Sequence, residues 1–340
     1  MAAKRPGKKP RGDSRTKTAA SVRAPETAPE FAPVVPASLS WNFARLAQRL
    51  AALAQDDITG GAAPSKLPAG LYLVATPIGH RGDITLRALV TLMLADAVLA
   101  EDTAVTGALL HAYGLSRPMI SYHDHNEAAR LPEIMKKLAY GGSLALVSDA
   151  GMPLVSDPGF RLARAALQAG LPVTVCPGAS AVTAGLALSA LPPEPFLFAG
   201  FPPSKSKARR DELKRWSAVP ATLIFYESPS RLAATLADMA EIFGARQAAI
   251  CRELTKLHEE SRRDALPVLA AHYASNPARG EITIVVAPPL PEEQTADLDG
   301  LLAEALERKS LRDAVAEVAD ATGIPRGKVY ERALELRGKT

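Results

Sequence analysis

The 340-residue chain contains little cysteine and few aromatic residues. Its two cysteines, Cys176 and Cys251, argue against a disulfide framework, and no Cys and His residues have the spacing of a zinc site. Both cysteines lie in apolar, strand-like runs, so we expect them to be buried and unreactive. This cysteine usage is typical of a protein of the reducing cytoplasm.

Long apolar runs and several familiar catalytic motifs are also missing. No uninterrupted apolar stretch reaches about 18 residues, which argues against a membrane span. There is no G-x-x-x-x-G-K-[ST] loop, no G-x-G-x-x-G after the first predicted strand and no G-x-S-x-G elbow. These absences argue against a P-loop nucleotide triphosphatase, a Rossmann dehydrogenase and a serine hydrolase.

Positive charge is concentrated at the N-terminus. The formal net charge is +4, but residues 1–23 hold eight basic residues and one acid, or +7, which leaves −3 for the rest. Residues 1–66 are basic and then rich in Ala and Pro, and we predict a disordered leader with a short helix at 41–55. Nucleic-acid contacts of the folded part must therefore come from a local basic patch.

Strand-like and helix-like runs alternate between residues 67 and 190, which predicts an α/β domain with a mostly parallel sheet. Strands are predicted at 71–75, 97–100, 119–122, 144–147 and 171–176. Prolines at 192, 193 and 195 mark a boundary. A second α/β domain is predicted for 191–289, with strands at 196–199, 221–226, 247–252 and 281–287 and helices near 206–217, 230–243 and 264–274.

Residues 290–340 are predicted to form a helical tail. Helices are expected at 298–308, 311–321 and 326–336, and the last two flank a Gly-containing turn. This pattern fits a helix-turn-helix and a small helical cap equally well.

The loop after the fourth predicted strand is the richest in turn residues. It contains Asp149, Gly151, Pro153 and Asp157 in short order. Because open α/β sheets bind ligands at the carboxyl ends of their strands, this loop predicts a ligand site. Small polar loops at 76–79, 101–103 and 177–180 end other predicted strands and would line the same edge.

Two further strand ends carry acids or imidazoles. Glu101 and Asp102 end a strand beside that site and could order a ligand through water, or the next helix could be capped here, with Asp102 or Thr103 at the N-cap. Residues 123–127, His-Asp-His-Asn-Glu, could supply a base for a hydroxyl group or form a plain loop. On an extended segment the two imidazoles would point in opposite directions, so no metal site is predicted.

Seven short motifs occur in a fixed order along the chain. They are 76-TPIG…DIT-85, 100-AEDT-103, 123-HDHNE-127, 149-DAG-x-P-x-x-x-DPG-159, 204-SKSK-x-RR-210, 225-FYES-x-x-R-231 and 252-RELTK-256. Together they resemble the ribosomal RNA small-subunit methyltransferase I family of the tetrapyrrole methylase superfamily. The resemblance covers about 70 to 287 and is weaker in the helical tail.

The resemblance implies two α/β domains of the tetrapyrrole methylase type with S-adenosylmethionine between them, in a homodimer. It implies 2′-O-methylation of a cytidine ribose in the decoding region of 16S rRNA, in the small ribosomal subunit, without a metal. It places the cofactor beside Pro77, Ile78, Gly79, Asp149, Ala150, Gly151, Pro153, Asp157, Ser180, Ala181, Tyr226 and Glu281. Candidates for accepting the hydroxyl proton are His123, Asp124 and Glu227.

A basic run follows the second domain's first predicted strand. It would usually be a solvated helix face, but with the resemblance it becomes a phosphate-binding surface for RNA. Its members are Lys205, Lys207, Arg209, Arg210, Lys214 and Arg215. Phe201 and Tyr226 are the nearby candidates for stacking on bases.

Three positions depart from the family pattern. Ala104-Val105 replaces the usual Arg-His, Met152 replaces Thr, and Ala179 replaces Pro. The first change removes a cation and an imidazole, which puts an RNA contact there in doubt. Two alternatives stay open, a corrin or porphyrin methyltransferase and a non-catalytic ribosome-binding factor with this fold.

Overall fold

The computed structural model describes residues 66–289 and 291–337, except for the side chains of 291–297. These residues all belong to one compact unit, Leu50–Thr340. The leader predicted for 1–66, with its helix at 41–55, lies outside the described residues apart from Lys66. Within the described part of the chain, no helix is long and apolar enough to cross a membrane.

The first sheet is parallel throughout, as predicted. Its strands are β1 (Gly70–Val74), β2 (Ala97–Ala100), β3 (Met119–Ser121), β4 (Ser143–Val147) and β5 (Val173–Cys176). Their order is β3-β2-β4-β1-β5. The inner strands β1, β2 and β4 are buried along their whole length, which explains their continuous apolar sequences.

Helices cover both faces of this sheet. They are α1 (Leu86–Leu94), α2 (Thr103–Ala112), α3 (Glu127–Ala139), α4 (Phe160–Gln168) and α5 (Ala181–Ser189). Side chains alternate along each strand, so Val74, Val98 and Val147 pack beneath α1 and α2. Leu99 and Leu146 point the other way, toward α3 and α4.

The second sheet is mixed. Its strands are β6 (Phe196–Phe198), β7 (Thr222–Glu227), β8 (Gln247–Arg252), β9 (Glu260–Ala265) and β10 (Ile282–Val286), in the order β6-β7-β10-β8-β9. Only β6 and β7 pair in parallel. One face packs against α6 (Ser206–Trp216), α7 (Leu232–Phe243) and α8 (Leu266–Ser275).

The opposite face of the second sheet is covered by α5, which joins the two sheets. Val182 and Leu186 of α5 pack with Ile224 of β7 and Val285 of β10. The approach is close at Gly185, where an added Cβ would lie 2.9 Å from the Thr283 side chain. This packing brings the strand-end loops of the first sheet against the second sheet.

The tail contains α9 (Pro291–Arg308), α10 (Leu311–Thr322) and α11 (Arg326–Arg337). The first of these begins at residue 291 rather than at the predicted 298. The three helices share a core that includes Leu302, Val318 and Val329. Gly323 ends α10 with a φ of 70°, the left-handed conformation that favours glycine.

Candidate active site

A cleft of about 410 Å³ lies between the strand ends of the first sheet and the facing loops of the second. This volume is in the range of small-ligand sites. The first sheet contributes Ile78, Glu101, Asp149, Ala150, Gly151, Met152, Val155, Ser156, Asp157, Ser180 and Ala181. The second contributes Phe201, Tyr226, Glu227, Ser228, Pro229, Leu254, Gly280, Glu281, Ile282 and Thr283.

Nine of the twelve predicted cofactor residues line this cleft. They are Ile78, Asp149, Ala150, Gly151, Asp157, Ser180, Ala181, Tyr226 and Glu281. The prediction needs correction at Pro77, Gly79 and Pro153, which are not among the lining residues. Both prolines are buried, and Gly79 packs so closely on the second domain that an added Cβ would lie 2.5 Å from Cγ of Lys256.

The loop after β4 has an unusual backbone. Gly151 has a φ of 81°, and two non-glycine residues, Leu154 and Ser156, have φ values of 73° and 68°. Such conformations are costly for residues with a Cβ and concentrate at functional sites. Thr76 and Gly151 exchange backbone hydrogen bonds of 2.8 and 3.1 Å, which tie the loop to the end of β1.

The facing loop, 253–256, is held in a comparable way. Glu253 and Thr255 have φ values of 51° and 63°. The Glu253 carboxylate accepts hydrogen bonds from Nζ of Lys256 (2.9 Å) and the backbone N–H of Glu281 (3.0 Å), and the contact with Lys256 lowers its pKa. Lys256 also lies 3.3 Å from the Glu281 carboxylate at the cleft.

Three carboxyl groups on the first-domain wall have raised pKa values. Burial raises the pKa of Asp157 to about 7, and the negative charges of Glu101, Asp149 and Asp124 add to this effect. Burial also raises the pKa of Glu101, helped by Asp149, and that of Asp149 itself. A wall of crowded, partly buried carboxyl groups favours a ligand that carries positive charge.

The two acids at the end of β2 have separate roles. Glu101 lines the cleft. Asp102 caps α2, because its Oδ1 accepts hydrogen bonds from the N–H groups of Ala104 (2.7 Å) and Val105 (3.4 Å). The capping alternative is therefore confirmed for Asp102. The side chains of Ala104 and Val105 are exposed on the first turn of α2.

Aromatic and apolar side chains form the rest of the lining. Tyr226 packs against Phe198 and Phe201, with ring centroids 4.8 and 5.5 Å apart. Burial raises the pKa of Tyr226 to about 12, so its hydroxyl remains protonated near neutral pH. Ile78 and Leu254 belong to one apolar cluster that extends below this surface.

The segment 123–127 forms a turn rather than an extended strand end. Its two imidazoles do not point in opposite directions, because the rings of His123 and His125 lie 5.9 Å apart, edge to face. Neither His123 nor Asp124 is a lining residue, although both act electrostatically on Glu101. Among the described residues no group of three or more His, Cys, Asp or Glu side chains could hold a metal.

The environment of Glu227 argues against the predicted role as a proton acceptor, although the residue is part of the cleft lining. Its side chain is fully buried. Its Oε1 accepts a hydrogen bond from the Ser228 N–H (2.8 Å), and its Oε2 accepts from Thr235 Oγ1 (2.6 Å) and Arg231 Nη2 (3.2 Å). A carboxylate saturated with donors in the interior orders its surroundings instead of taking a proton from substrate.

The six predicted RNA-binding cations do not share one environment. Lys205, Lys207, Lys214 and Arg215 are exposed, and Arg210 is half-exposed beside Glu241. The prediction needs correction at Arg209. Its side chain is only 4% exposed, and both Nε and Nη2 lie 2.7 Å from Oδ2 of Asp238. Its guanidinium is therefore not free to bind phosphate.

Sequence and structure comparisons agree with this architecture. A family model of the tetrapyrrole (corrin/porphyrin) methylases matches residues 70–270, and the RsmI C-terminal HTH domain model matches 292–337. Proteins named ribosomal RNA small subunit methyltransferase I from Mesorhizobium japonicum and Erythrobacter litoralis are 48% and 51% identical to the chain. Each alignment covers 80% of this chain and 93% or 96% of the relative.

Similarity to a solved structure supports the assignment of the fold but not of the function. A conserved hypothetical protein from Aeropyrum pernix K1 is similar with a TM-score of 0.53 at 20% sequence identity. The match covers 80% of this chain and 97% of that one.

The parallel first sheet, the mixed second sheet and the cleft between them define a methyltransferase of the tetrapyrrole methylase class. Within this class, the chain belongs to the ribosomal RNA small subunit methyltransferase I family. The predicted resemblance is thereby confirmed, and the family model that matches the tail is described as a helix-turn-helix domain. Its methyl donor is S-adenosylmethionine.

The cleft fits this donor chemically. S-adenosylmethionine is a sulfonium cation with an apolar, flat adenine, and the cleft combines a carboxyl-bearing wall with apolar and aromatic surface. Glu101, Asp149 and Asp157 would face its positive charge. Ile78, Val155 and Leu254 supply the apolar lining.

Proposed function

We propose that the protein methylates the ribose 2′-hydroxyl of a cytidine in the decoding region of 16S rRNA. One observation carries the proposal: the carboxyl-walled cleft continues directly into a basic helix. Phe201 lines the cleft, and Lys205, only four residues later, begins the exposed cations of α6. A cofactor cleft and a phosphate-binding surface that adjoin each other suit an RNA substrate.

The cleft residues would act mainly by binding and orientation. When bound, S-adenosylmethionine supplies an activated methyl group. The carboxyl wall and the apolar lining would hold the donor, while the exposed cations of α6 would hold RNA phosphates. Correct placement alone can lower a barrier by as much as ~7–11 kcal/mol, so the residues that align the two substrates account for much of the catalysis.

A carboxyl group of the cleft can receive the proton that the hydroxyl loses. Asp157 lines the cleft, and its pKa of about 7 suits proton transfer near neutral pH. His123 and Asp124 remain alternatives beside the cleft. We expect kcat/KM to rise with pH through about 7, and Asp157→Asn to abolish that rise. If His123→Gln abolishes it instead, the imidazole is the acceptor.

The activity is tested with S-adenosylmethionine labelled in its methyl group. Small subunits from cells that lack the modification should gain label, and nuclease digestion followed by mass spectrometry should find it on one 2′-O-methylcytidine. Label on a base, or on a porphyrinoid offered as a competing substrate, would reject the proposal. Donor binding without transfer to any of these substrates would favour a non-catalytic ribosome-binding factor.

We further propose that the enzyme works in the cytoplasm as a homodimer that binds the small ribosomal subunit. The resemblance supports the dimer. Sedimentation equilibrium should give a mass near twice 35.9 kDa. A monomer at micromolar concentration that retains full activity would contradict the dimer without affecting the assignment of the reaction.

A further inference from the structure

Three consecutive backbone carbonyls between the cleft and α6 are bound by two arginines. Arg231 donates from Nη2 to the carbonyl oxygen of Pro202. Arg209 donates from Nη1 to the carbonyl oxygens of Pro203 (3.4 Å) and Ser204 (3.2 Å). Pro202 and Pro203 have no N–H to donate, so their own backbone hydrogen bonds can be made only through their carbonyl oxygens.

Both arginines are themselves anchored by buried acids. The Nε of Arg231 lies 3.0 Å from Oε1 of Glu227 at the end of β7. Arg209 is bound by Asp238 of α7, which also accepts a hydrogen bond from Oγ of Ser206 (3.1 Å). Guanidinium groups held on one side by carboxylates present their remaining donors in a fixed direction.

Phe201 lies immediately before the bound carbonyls and is fixed from its other side as well. The backbone N–H of Tyr226 donates to the carbonyl oxygen of Gly200 (3.0 Å). The ring of Phe201 lines the cleft, 5.5 Å from the ring of Tyr226, yet 54% of the residue is exposed. A large apolar ring held in place with so much of its surface in water suits stacking on a nucleobase.

We propose that Phe201 stacks on the base of the nucleotide being methylated and that Arg209 and Arg231 are the positioning residues that hold it there. This inference rests on the proposed function. It also explains why Glu227 and Arg209, which the sequence suggested for proton transfer and phosphate binding, are buried. They fix the segment that carries the substrate-binding ring.

Substitution of Phe201 tests the stacking contact. Base–aromatic stacking is worth about 1–3 kcal/mol, so Phe201→Leu should weaken small-subunit binding and raise KM by about tenfold. Phe201→Tyr, which retains the ring, should stay within about twofold of the unmodified chain. Donor affinity, measured by calorimetry, should be unchanged. If Phe201→Leu lowers donor affinity and leaves subunit binding intact, the ring belongs to the cofactor site and the proposal is overturned.

The positioning role is tested by a double-mutant cycle. Arg231→Lys retains the charge but cannot bridge Glu227 and Pro202, so it should raise the subunit KM several-fold with little change in kcat. Combined with Phe201→Leu it should add almost nothing, because both changes remove the same contact, the stacking of the Phe201 ring on the base. Fully additive effects would overturn the positioning role. Arg130→Lys, which changes a surface ion pair with Glu133, is the matched control.

Binding of small subunits is measured without turnover as well as through KM. The inference is therefore tested even if no methyl transfer occurs. Absence of methyl transfer by the unmodified chain would defeat the proposed function, whereas equal subunit binding by the unmodified chain and Phe201→Leu would defeat only the stacking proposal. Thermal unfolding of each variant identifies any loss of binding that comes from misfolding.

Discussion

At the scale of single residues, Asp149 should matter most to the donor. Its Oδ1 accepts a hydrogen bond from the N–H of Asp102 (3.1 Å), which fixes the carboxylate on the cleft wall. Asp149→Asn keeps the shape and removes the charge, so we expect S-adenosylmethionine to bind about tenfold more weakly in calorimetry. Glu133→Gln, a surface change on α3, is the control. Unaltered affinity in Asp149→Asn would place the cation of the donor elsewhere.

Asp157 should make stability depend on pH. Its pKa is about 7 in the folded chain and about 3.9 when unfolded, so the folded state holds the proton more tightly between these values. The contribution of Asp157 to stability is therefore fully present below about pH 4 and is lost as the pH rises through about 7. We therefore compare the effect of Asp157→Asn on the free energy of unfolding at two pH values. The effect at pH 8 should be more stabilising than the effect at pH 4 by about 1–2 kcal/mol, after allowance for solvent screening.

Urea unfolding of the two chains at pH 4, 6 and 8 measures this difference. The gain from Asp157→Asn should grow across the series. A gain that is the same at all three values would show that the carboxyl group titrates normally. Glu133→Gln should give no such trend.

The sequence could identify which loops form the cleft, but not which way every side chain points. Asp149 and Asp157 were correctly placed because parallel strands bring their carboxyl ends to one edge. Glu227 also ends a strand, yet it turns inward to Arg231, the N-cap of α7, and to Thr235 in the first turn of that helix. Nothing in a local pattern shows that a carboxylate will be saturated by donors from the following helix.

At the scale of elements, α6 has two distinct faces. Arg209 and Leu213 are both buried and lie four residues apart, on one side of the helix. Arg209, Leu213 and Trp216 follow the spacing of one helix face, so the sequence pattern indicates that Arg209 lies on the buried side. Lys205 at the N-cap, Lys207 and Lys214 are exposed.

The exposed lysines should therefore carry the salt-dependent part of RNA binding. Lys205→Ala with Lys207→Ala should weaken binding of small subunits. The slope of the logarithm of the association constant against the logarithm of the salt concentration should become less steep by about 1.5–2, since each phosphate contact contributes ~0.7–0.9. Donor affinity should not change. Lys136→Ala with Lys137→Ala, exposed on α3, is the matched control. An unchanged slope in the α6 variant would remove this helix from the RNA surface.

Element prediction failed where burial was low. The edge strand β9, Glu-Ser-Arg-Arg-Asp-Ala, pairs only with β8 and contains no large apolar residue. Its hydrogen bonds come from β8, with paired residues as far apart along the chain as Gln247 and Ala265, so no local periodicity indicates it. The inner strands were predicted because burial on both faces requires continuous apolar sequence.

At the scale of the whole molecule, the tail has an apolar core of its own. Its core is built from residues of α9, α10 and α11, and none of its described residues lines the cleft. Arg332 of α11 is bound to both oxygens of Asp299 at 2.6 Å, and Arg326 pairs with Asp320. These two cations support the helical module itself, while Lys328 is exposed on α11.

Removal of residues 290–340 should consequently separate the two binding functions. We expect the shortened chain to bind S-adenosylmethionine with unchanged affinity, because the described lining residues all lie between Ile78 and Thr283. If the tail supplies part of the proposed RNA surface, binding of small subunits should weaken by about tenfold. Lys328→Ala in the full chain should reproduce a smaller part of that loss.

Calorimetry with the donor and sedimentation with labelled small subunits measure the two affinities, and thermal unfolding checks that the two sheets remain folded. A chain that loses donor affinity while staying folded would mean that the tail supports the cleft. Undiminished subunit binding would mean that α6 and the cleft suffice for RNA. Because the expected losses fall on different ligands, the two measurements decide between a recognition module and a structural one.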